Sequence, residues 1–208
     1  MSKIASVSLT EFQFSVDNIG LEQAAAGVGN MAYVKGASFP AKRFAVKITT
    51  DDGCTGEYVS HWVGTPASFA QAQMLAPMLI GRDPEQRELI YDDLKRELRA
   101  YDHMGHGVFD IAIWDLCGKR NNTSVKSMLG GYRDTLPTYA STYHGQESPG
   151  GLCSPEAFAD FAEECKEKGF HGFKIHGWND GDVTREVENL LGVRKRVGES
   201  WRLMIDPA

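Results

Sequence analysis

The sequence lacks the cysteine patterns that mark disulfide frameworks and zinc sites. Its four cysteines form no CxxC pair and no Cys/His set with metal-ligand spacing. We therefore expect buried or idle thiols in a reducing compartment. The four residues are Cys54, Cys117, Cys153 and Cys165.

Positive charge and long apolar runs are also scarce. Lysine and arginine number 22 against 28 aspartates and glutamates, which gives a formal net charge of −6. This balance argues against nucleic acid or an anionic membrane surface as the main partner, although a local basic pocket for a small acid remains compatible with it. No apolar run approaches the length of a membrane span, and the N-terminus has no cationic start followed by an apolar core. We therefore predict a cytoplasmic protein.

Several catalytic motifs are absent as well. No GxxxxGK[ST] phosphate loop and no GxSxG nucleophile elbow occurs. The stretch GVGN at 27–30 does not follow a strand and open a helix, as a dinucleotide motif must. His103 and His106 have loose metal-ligand spacing, but no cysteine or carboxylate lies in register with them, so we expect no zinc site there.

The first part of the chain contains strand patterns and then helix patterns. Residues 3–16 and 42–50 alternate apolar and polar side chains, and the turn DDGCTG leads into EYVSHW, which predicts a three-stranded antiparallel meander. Residues 17–40 are rich in glycine and alanine without a clean period, and we interpret them as a flexible flap. Helices are predicted after Thr65, over 84–100 and up to Gly118, with a short helix and a glycine break following. Their buried faces are expected to include Leu89, Ile90, Leu94, Leu98, Val108, Ile111, Ala112 and Leu116.

From Thr135 onward, strand and helix patterns alternate. Strands are predicted in TLPTYASTY, GFKIHGW and WRLMIDPA, with one helix after the N-cap Ser154 and a second in DVTREVENLLGVRKRVG. This order indicates βαβ units and a parallel sheet, in which ligands gather at the carboxyl ends of the strands. Those ends carry Tyr143 and His144, then Lys174 and His176, then Asp206.

Lys174 and His176 are two positions apart in a strand, so their side chains are expected on the same face. A single basic residue there could simply reach solvent, but two on one face favour an anionic or proton-transfer site. Asp206 precedes Pro207, and by itself this arrangement favours a turn or N-cap aspartate. A carboxylate at a strand end can also provide one oxygen ligand to a hard divalent cation, which would need further ligands from elsewhere. His171 is expected at the surface.

The stretches AVKITTDDGCTGE, FDIAIWDLCGK with MLGG, GFKIHG and LMIDPA occur in an order that resembles the enolase superfamily, in its mandelate racemase and muconate lactonising enzyme branch. The resemblance implies an α+β capping domain, the meander plus helices, over residues 1–130. It implies the first three β/α units of a modified TIM (β/α) barrel over 135–208. Because a whole barrel takes about 250 residues, the chain by itself is expected to lack the later metal ligands and to be inactive.

The resemblance also implies a chemistry. In that family Mg²⁺ binds the substrate carboxylate, a base removes the α-proton, and the metal stabilises the enediolate. Asp206 matches the first metal ligand. Lys174 and His176 fall on the Lys-x-Lys motif, whose first lysine lies near the substrate carboxylate and whose second is the base. Histidine in the second position leaves the choice of base between His176 and Lys174 open.

The specificity loops of the family correspond to 17–40 and to YVSHWVG at 58–64. These loops and the first strand end suggest three substrate-binding residues, Lys35, His61 and Tyr143. The polar groups there favour dehydration of a sugar acid to a 2-keto-3-deoxy acid. A racemase or epimerase of a 2-hydroxy or amino acid derivative, and a folded cap without catalytic activity, are the alternatives. We further expect a small-molecule carboxylate substrate, no nucleic-acid or membrane partner, and a homo-oligomer.

Overall fold

The computed structural model describes residues 2–23, 29–61, 65–178 and 180–207. The chain forms two compact units, and neither is continuous in sequence. The first comprises Met1–Phe14 and Ala41–Asp134, and the second comprises Ser15–Pro40 and Thr135–Ala208.

The first unit is built on the predicted antiparallel meander, which the structure confirms. Strands β1 (Ile4–Gln23), β2 (Gly29–Thr50) and β3 (Thr55–Val59) lie in that order in one sheet, and Val46 of β2 stands opposite Tyr58 of β3. Alternate residues of β2 point into the core, as a sheet with one buried face requires. These are Phe44, Val46 and Ile48.

The interpretation of 17–40 as a loop is wrong for the residues that the structure describes. Residues 17–23 continue β1 and residues 29–40 belong to β2, while residues 24–28 of the predicted flap lie outside the described part. At Asn18 the backbone is left-handed (φ 59°), and its side-chain Oδ1 accepts a hydrogen bond from the N–H of Gly36 at 3.0 Å. This side-chain bond to the backbone links two strands whose composition gives no period.

Helices cover the buried face of the meander. The backbone of β3 lies directly against the third helix, since a Cβ placed on Gly56 would be 2.0 Å from the carbonyl oxygen of Ala112. Leu89 and Ile111 are exposed, which corrects their predicted burial. The helices of this unit are α1 (Thr65–Leu75), α2 (Arg87–Glu97), α3 (Gly107–Arg120) and α4 (Val125–Met128), and 3₁₀ turns extend α1 and α2 over Ala76–Leu79 and Leu98–Ala100.

The second unit contains the predicted parallel strands and their helices. The elements are β4 (Ala140–Ser141), α5 (Pro155–Glu167), β5 (Gly172–Ile175), α6 (Val183–Val197) and β6 (Arg202–Ile205). Strand β5 lies between β4 and β6 and pairs with both in parallel, with Ile175 opposite Ile205. Strand β4 is shorter than the predicted 135–143. Ser154 caps α5 as expected, because its Oγ accepts from the N–H of Ala157 at 3.2 Å.

The two helices of this unit pack on one face of the parallel strands. Phe158 of α5, Phe173 of β5 and Val193 of α6 are completely buried in this core. Side chains on the sheet face therefore anchor β5, and the residues after Ile175 are held at its carboxyl end. Within the described ranges, no helix combines the length and the apolar character needed to cross a bilayer.

Candidate active site

Three predicted site residues meet at the carboxyl ends of β5 and β6. The Lys174 ammonium lies 3.0 Å from Asp206 Oδ2, and His176 Nε2 lies 3.2 Å from the same oxygen. Because the strands are parallel and Asp206 N donates to Ile175 O at 2.9 Å, Asp206 follows β6 at the level where Lys174 and His176 leave β5. The structure thus brings together two basic groups and one carboxylate, on one face as their spacing predicts.

The three groups are partly exposed to solvent. The side chains of Lys174, His176 and Asp206 are 23%, 19% and 38% exposed. The hydrogen bond to Asp206 raises the pKa of Lys174 above its ordinary value, and burial opposes this only in part. Lys174 is therefore held as an ammonium ion in this arrangement.

His144, at the end of β4, contacts the same cluster. Its ring lies 5.3 Å from the ring of His176, centroid to centroid, in an edge-to-face arrangement. Its Nδ1 is 3.3 Å from the carbonyl oxygen of Gly177. Since a carbonyl only accepts, Nδ1 carries the proton in this contact. Burial lowers the pKa of His144, and the nearby His176 adds to that effect.

The turn after His176 is fixed from several sides. Gly177 O accepts a second hydrogen bond from Gly145 N at 2.9 Å, and Trp178 N donates to Glu186 Oε1 at 2.6 Å. The indole N–H of Trp178 donates to the carbonyl of Gln146 at 3.1 Å, deep in the unit. Sequence reasoning places His144 at a strand end without a role, and it assigns no role to Glu186.

The structure does not bring the three predicted substrate-binding residues together in one place. Tyr143 packs edge-to-face against Tyr33 at 5.3 Å, and burial raises the pKa of the Tyr33 phenol. Lys35 is exposed on β2, and no described contact joins it to Asp206. His61 is exposed in the first unit, where its carbonyl accepts from Thr65 Oγ1 at 2.9 Å. Their role in binding stays a prediction, and residues 62–64 of the second predicted loop lie outside the described part.

Asp206 suits one position in the coordination of a magnesium ion. Its carboxylate provides the hard oxygen donor that Mg²⁺ prefers, at the end of a parallel strand. Among the described residues, no group of three or more histidine, cysteine, aspartate or glutamate side chains is arranged to hold a metal. The described residues therefore fit one ligand of such an ion, with two basic groups beside it.

A cavity of about 340 Å³ lies next to Asp206, within the second unit. Its lining is mostly apolar and includes Val183 and Val187 of α6 together with Ile205 of β6, while Glu186 and Asp206 contribute carboxylates. Chemically, the strand ends combine a fixed ammonium donor, an imidazole that can accept a proton, and an oxygen ligand. This combination suits polarisation and proton transfer on an anionic substrate.

Comparisons with known families and solved structures identify proteins that are similar to this chain. The N-terminal domain described as that of mandelate racemase / muconate lactonizing enzyme matches residues 33–130. The solved structure of D-glucarate dehydratase from Agrobacterium tumefaciens, complexed with magnesium, superposes with a TM-score of 0.79 at 28% identity, over 98% of this chain and 53% of that one.

Curated relatives show the same likeness. The 3,6-anhydro-alpha-L-galactonate cycloisomerase of Streptomyces coelicolor is 28% identical, over 82% of this chain and 48% of the relative. The D-galactarolactone cycloisomerase of Agrobacterium fabrum is 32% identical, over 77% of this chain and 43% of the relative. The chain thus spans about half the length of the curated relatives that it matches. Further relatives are named as dehydratases of sugar acids and as epimerases.

Proposed function

Since the chain belongs to the mandelate racemase / muconate lactonizing enzyme branch of the enolase superfamily, we propose that it takes part in removing the α-proton of a sugar-acid carboxylate, and that loss of water to a 2-keto-3-deoxy acid follows. The observation that carries the proposal is the convergence of Lys174 and His176 on Asp206 Oδ2 at two adjacent strand ends. Names of relatives that include sugar-acid dehydratases support the choice of substrate.

In this proposal His176 is the base and Lys174 binds the substrate carboxylate. The hydrogen bond to Asp206 raises the pKa of Lys174, which suits a charged group that binds an anion. His176 Nδ1 is buried and has no hydrogen-bond partner among the described residues, so Nε2, which now contacts Asp206, is the nitrogen with an established partner in the site. A carboxylate only accepts, so Nε2 carries the ring proton while it contacts Asp206. Nε2 can accept the substrate proton only after the substrate has separated the ring from Asp206 and the ring proton lies on Nδ1.

Asp206 would contribute one carboxylate ligand to Mg²⁺ in the complete protein. An α-proton beside a carboxylate is very weakly acidic, because its removal adds a second negative charge. The ion would supply the concentrated positive charge that stabilises the developing enediolate. Support comes from the magnesium in the D-glucarate dehydratase structure and from the oxygen donor at the end of β6. We also propose that residues 1–130 form the capping domain, that 135–208 begin a barrel, and that the protein works as a homo-oligomer.

The test is α-proton exchange in the complete enzyme, with a library of sugar acids in deuterated water. His176→Asn keeps polar contacts but cannot accept a proton at neutral pH, so exchange should fall by at least about 100-fold. Lys174→Met should raise KM for the acid more than it lowers the exchange rate at saturation. Exposed Lys168→Met serves as the control for loss of a lysine charge. Exchange that survives in His176→Asn but not in Lys174→Met would reverse the two roles, and silence on every sugar acid would refute the substrate class.

The relatives named as cycloisomerases and epimerases support a second candidate outcome, in which proton abstraction leads to isomerisation. Mass spectrometry of the product separates the two outcomes. Dehydration yields a product lighter by one water, whereas isomerisation leaves the mass unchanged.

A further inference from the structure

Glu186, in the first turn of α6, directs its carboxylate at the turn that follows His176. Its Oε1 accepts the N–H of Trp178 at 2.6 Å, a short, charge-assisted hydrogen bond. A Cβ placed on Gly177 would lie 1.8 Å from Oε2, and the three atoms nearest to that Cβ all belong to the Glu186 carboxyl group. The carboxylate therefore lies directly against the backbone of the residue next to His176.

The other carboxylate oxygen makes this contact unusual. Oε2 of Glu186 is buried and has no hydrogen-bond partner among the described residues. Leaving a buried acceptor unsatisfied is unfavourable, and more so when the group is charged. The hydrogen bond from Trp178 N therefore holds a carboxyl group whose second oxygen has no described partner to compensate its burial.

The opposite side of the same turn is held by the end of β4. Gly177 O accepts from Gly145 N and from His144 Nδ1, and the His144 ring packs edge-to-face on His176. The turn is therefore held between α6 on one side and residues 144–145 on the other. On its N-terminal side His176 continues from a buried β5, and its N–H donates to Thr142 Oγ1 at 2.9 Å. On its C-terminal side the backbone is held by the contacts of Gly177 and Trp178.

We propose that Glu186 is a positioning residue for His176. Its carboxylate fixes the Gly177–Trp178 backbone against the end of β4 and thereby keeps the His176 ring in contact with His144 and within reach of Asp206. The catalytic consequence rests on the proposed function, because it assumes that His176 moves a proton. The position of the His176 ring is a property of this chain alone, and it can be measured without any catalytic turnover.

The test is nuclear magnetic resonance of the 208-residue chain with isotope-labelled histidine. His176→Gln identifies the His176 signal and His144→Gln that of His144, among the six histidines. In the wild type we expect a nuclear Overhauser contact between the two rings, which are 5.3 Å apart. Glu186→Ala removes the carboxyl group, and Glu186→Asp shortens the side chain by one methylene. Each should reduce the ring contact at least about twofold and shift the Trp178 amide signal. Glu186→Gln keeps an acceptor and should leave the ring contact and the Trp178 amide signal close to those of the wild type.

Glu188→Ala is the matched control, since Glu188 is exposed on the same helix and its loss should leave the ring contact unchanged. A folded Glu186→Ala variant with an unchanged ring contact would overturn the proposal. Unfolding of both Glu186→Ala and Glu186→Asp would overturn it too, because Glu186 would then serve the fold rather than the direction of His176. An intact, Glu186-dependent contact in a complete enzyme that exchanges no α-proton would count against the proposed function alone.

Discussion

At the scale of single residues, Gly177 occupies a position with no space for a side chain. Because the Glu186 carboxylate would lie 1.8–2.1 Å from a Cβ placed on Gly177, Gly177→Ala must displace α6 or the turn. We expect Gly177→Ala to lower the free energy of unfolding by about 1–3 kcal/mol in urea titrations. Adding Glu186→Ala should recover part of the loss, since the clash and its relief involve the same atoms.

Gly192 provides the control for this prediction. It lies inside α6, where a Cβ would meet only ordinary contacts, 3.6 Å from Pro155 Cβ at the nearest. Gly192→Ala should therefore stabilise the chain by about 0.5–1 kcal/mol through helix propensity. Equal effects of the two alanines would contradict the close approach at Gly177.

Lys174 gives a second residue-scale prediction, on pH. Its folded-state pKa is raised above 10.5, first by the hydrogen bond to Asp206. A raised lysine pKa contributes stability that is fully present below pH 10.5 and is lost as the pH rises through the folded-state value. Asp206→Asn should bring the pKa of Lys174 back towards 10.5, as followed by the side-chain Cε resonance. The raised pKa of Lys119, which depends on Asp115 instead, should not change.

At the scale of elements, α5 depends on its N-cap. Ser154 Oγ is the acceptor for the N–H of Ala157, one of the four N–H groups without a partner inside the helix. Ser154→Ala should lower the free energy of unfolding by about 1 kcal/mol, and Ser154→Asp, which keeps an acceptor, should lower it much less. A loss of equal size in both variants would mean that packing of Ser154, and not its hydrogen bond, matters there.

Elements with strong local signals were predictable from the sequence. Ser154, Pro155 and Gly169 mark the ends of α5, and the alternation of strands and helices after Thr135 indicates the parallel pairing of β5 with β6. The strand conformation of residues 17–23 and 29–40 was not predictable, because the glycines and alanines of this region form no alternation of apolar and polar side chains. Their strand conformation depends on distant partners, such as the packing of Tyr33 against Tyr143 and Phe161.

Part of the candidate site was predictable from the sequence and part was not. The period of two along a strand places Lys174 and His176 on one face, and the parallel order places Asp206 beside them. The contact of Glu186 could not be read from the sequence, because its partner is the backbone N–H of Trp178, which precedes it by eight residues in the connection between β5 and α6. A glutamate in the first turn of a helix is otherwise explained by the helix dipole.

At the scale of the whole molecule, β6 is a strand with one partner in the described structure. It pairs with β5, and its other edge is bordered by exposed apolar side chains. These include Ile205 of β6 and Val183 and Val187 of α6, which line the same cavity. An exposed strand edge with apolar neighbours is a template for association.

We therefore expect the 208-residue chain to self-associate with increasing concentration in sedimentation velocity experiments. Ile205→Lys should reduce this association, because a charge on an edge strand opposes pairing with a second edge. Leu136→Lys, at a residue that is more exposed but lies outside the sheet, is the control. Similar effects of both substitutions would mean that the β6 edge is not the surface that associates.

The division of the chain into discontinuous units has a consequence for synthesis on the ribosome. Residues 15–40 belong to the second unit, where Met31 O accepts from His144 N and Tyr33 packs against Tyr143, yet they are translated before nearly all of the first unit. This segment must wait for partners that emerge only after the polypeptide has passed residue 143. Because domains generally fold as they emerge, the first unit can complete its core while residues 15–40 still lack their contacts with residues 143 and 144. The order of translation and the order of assembly therefore differ in this protein.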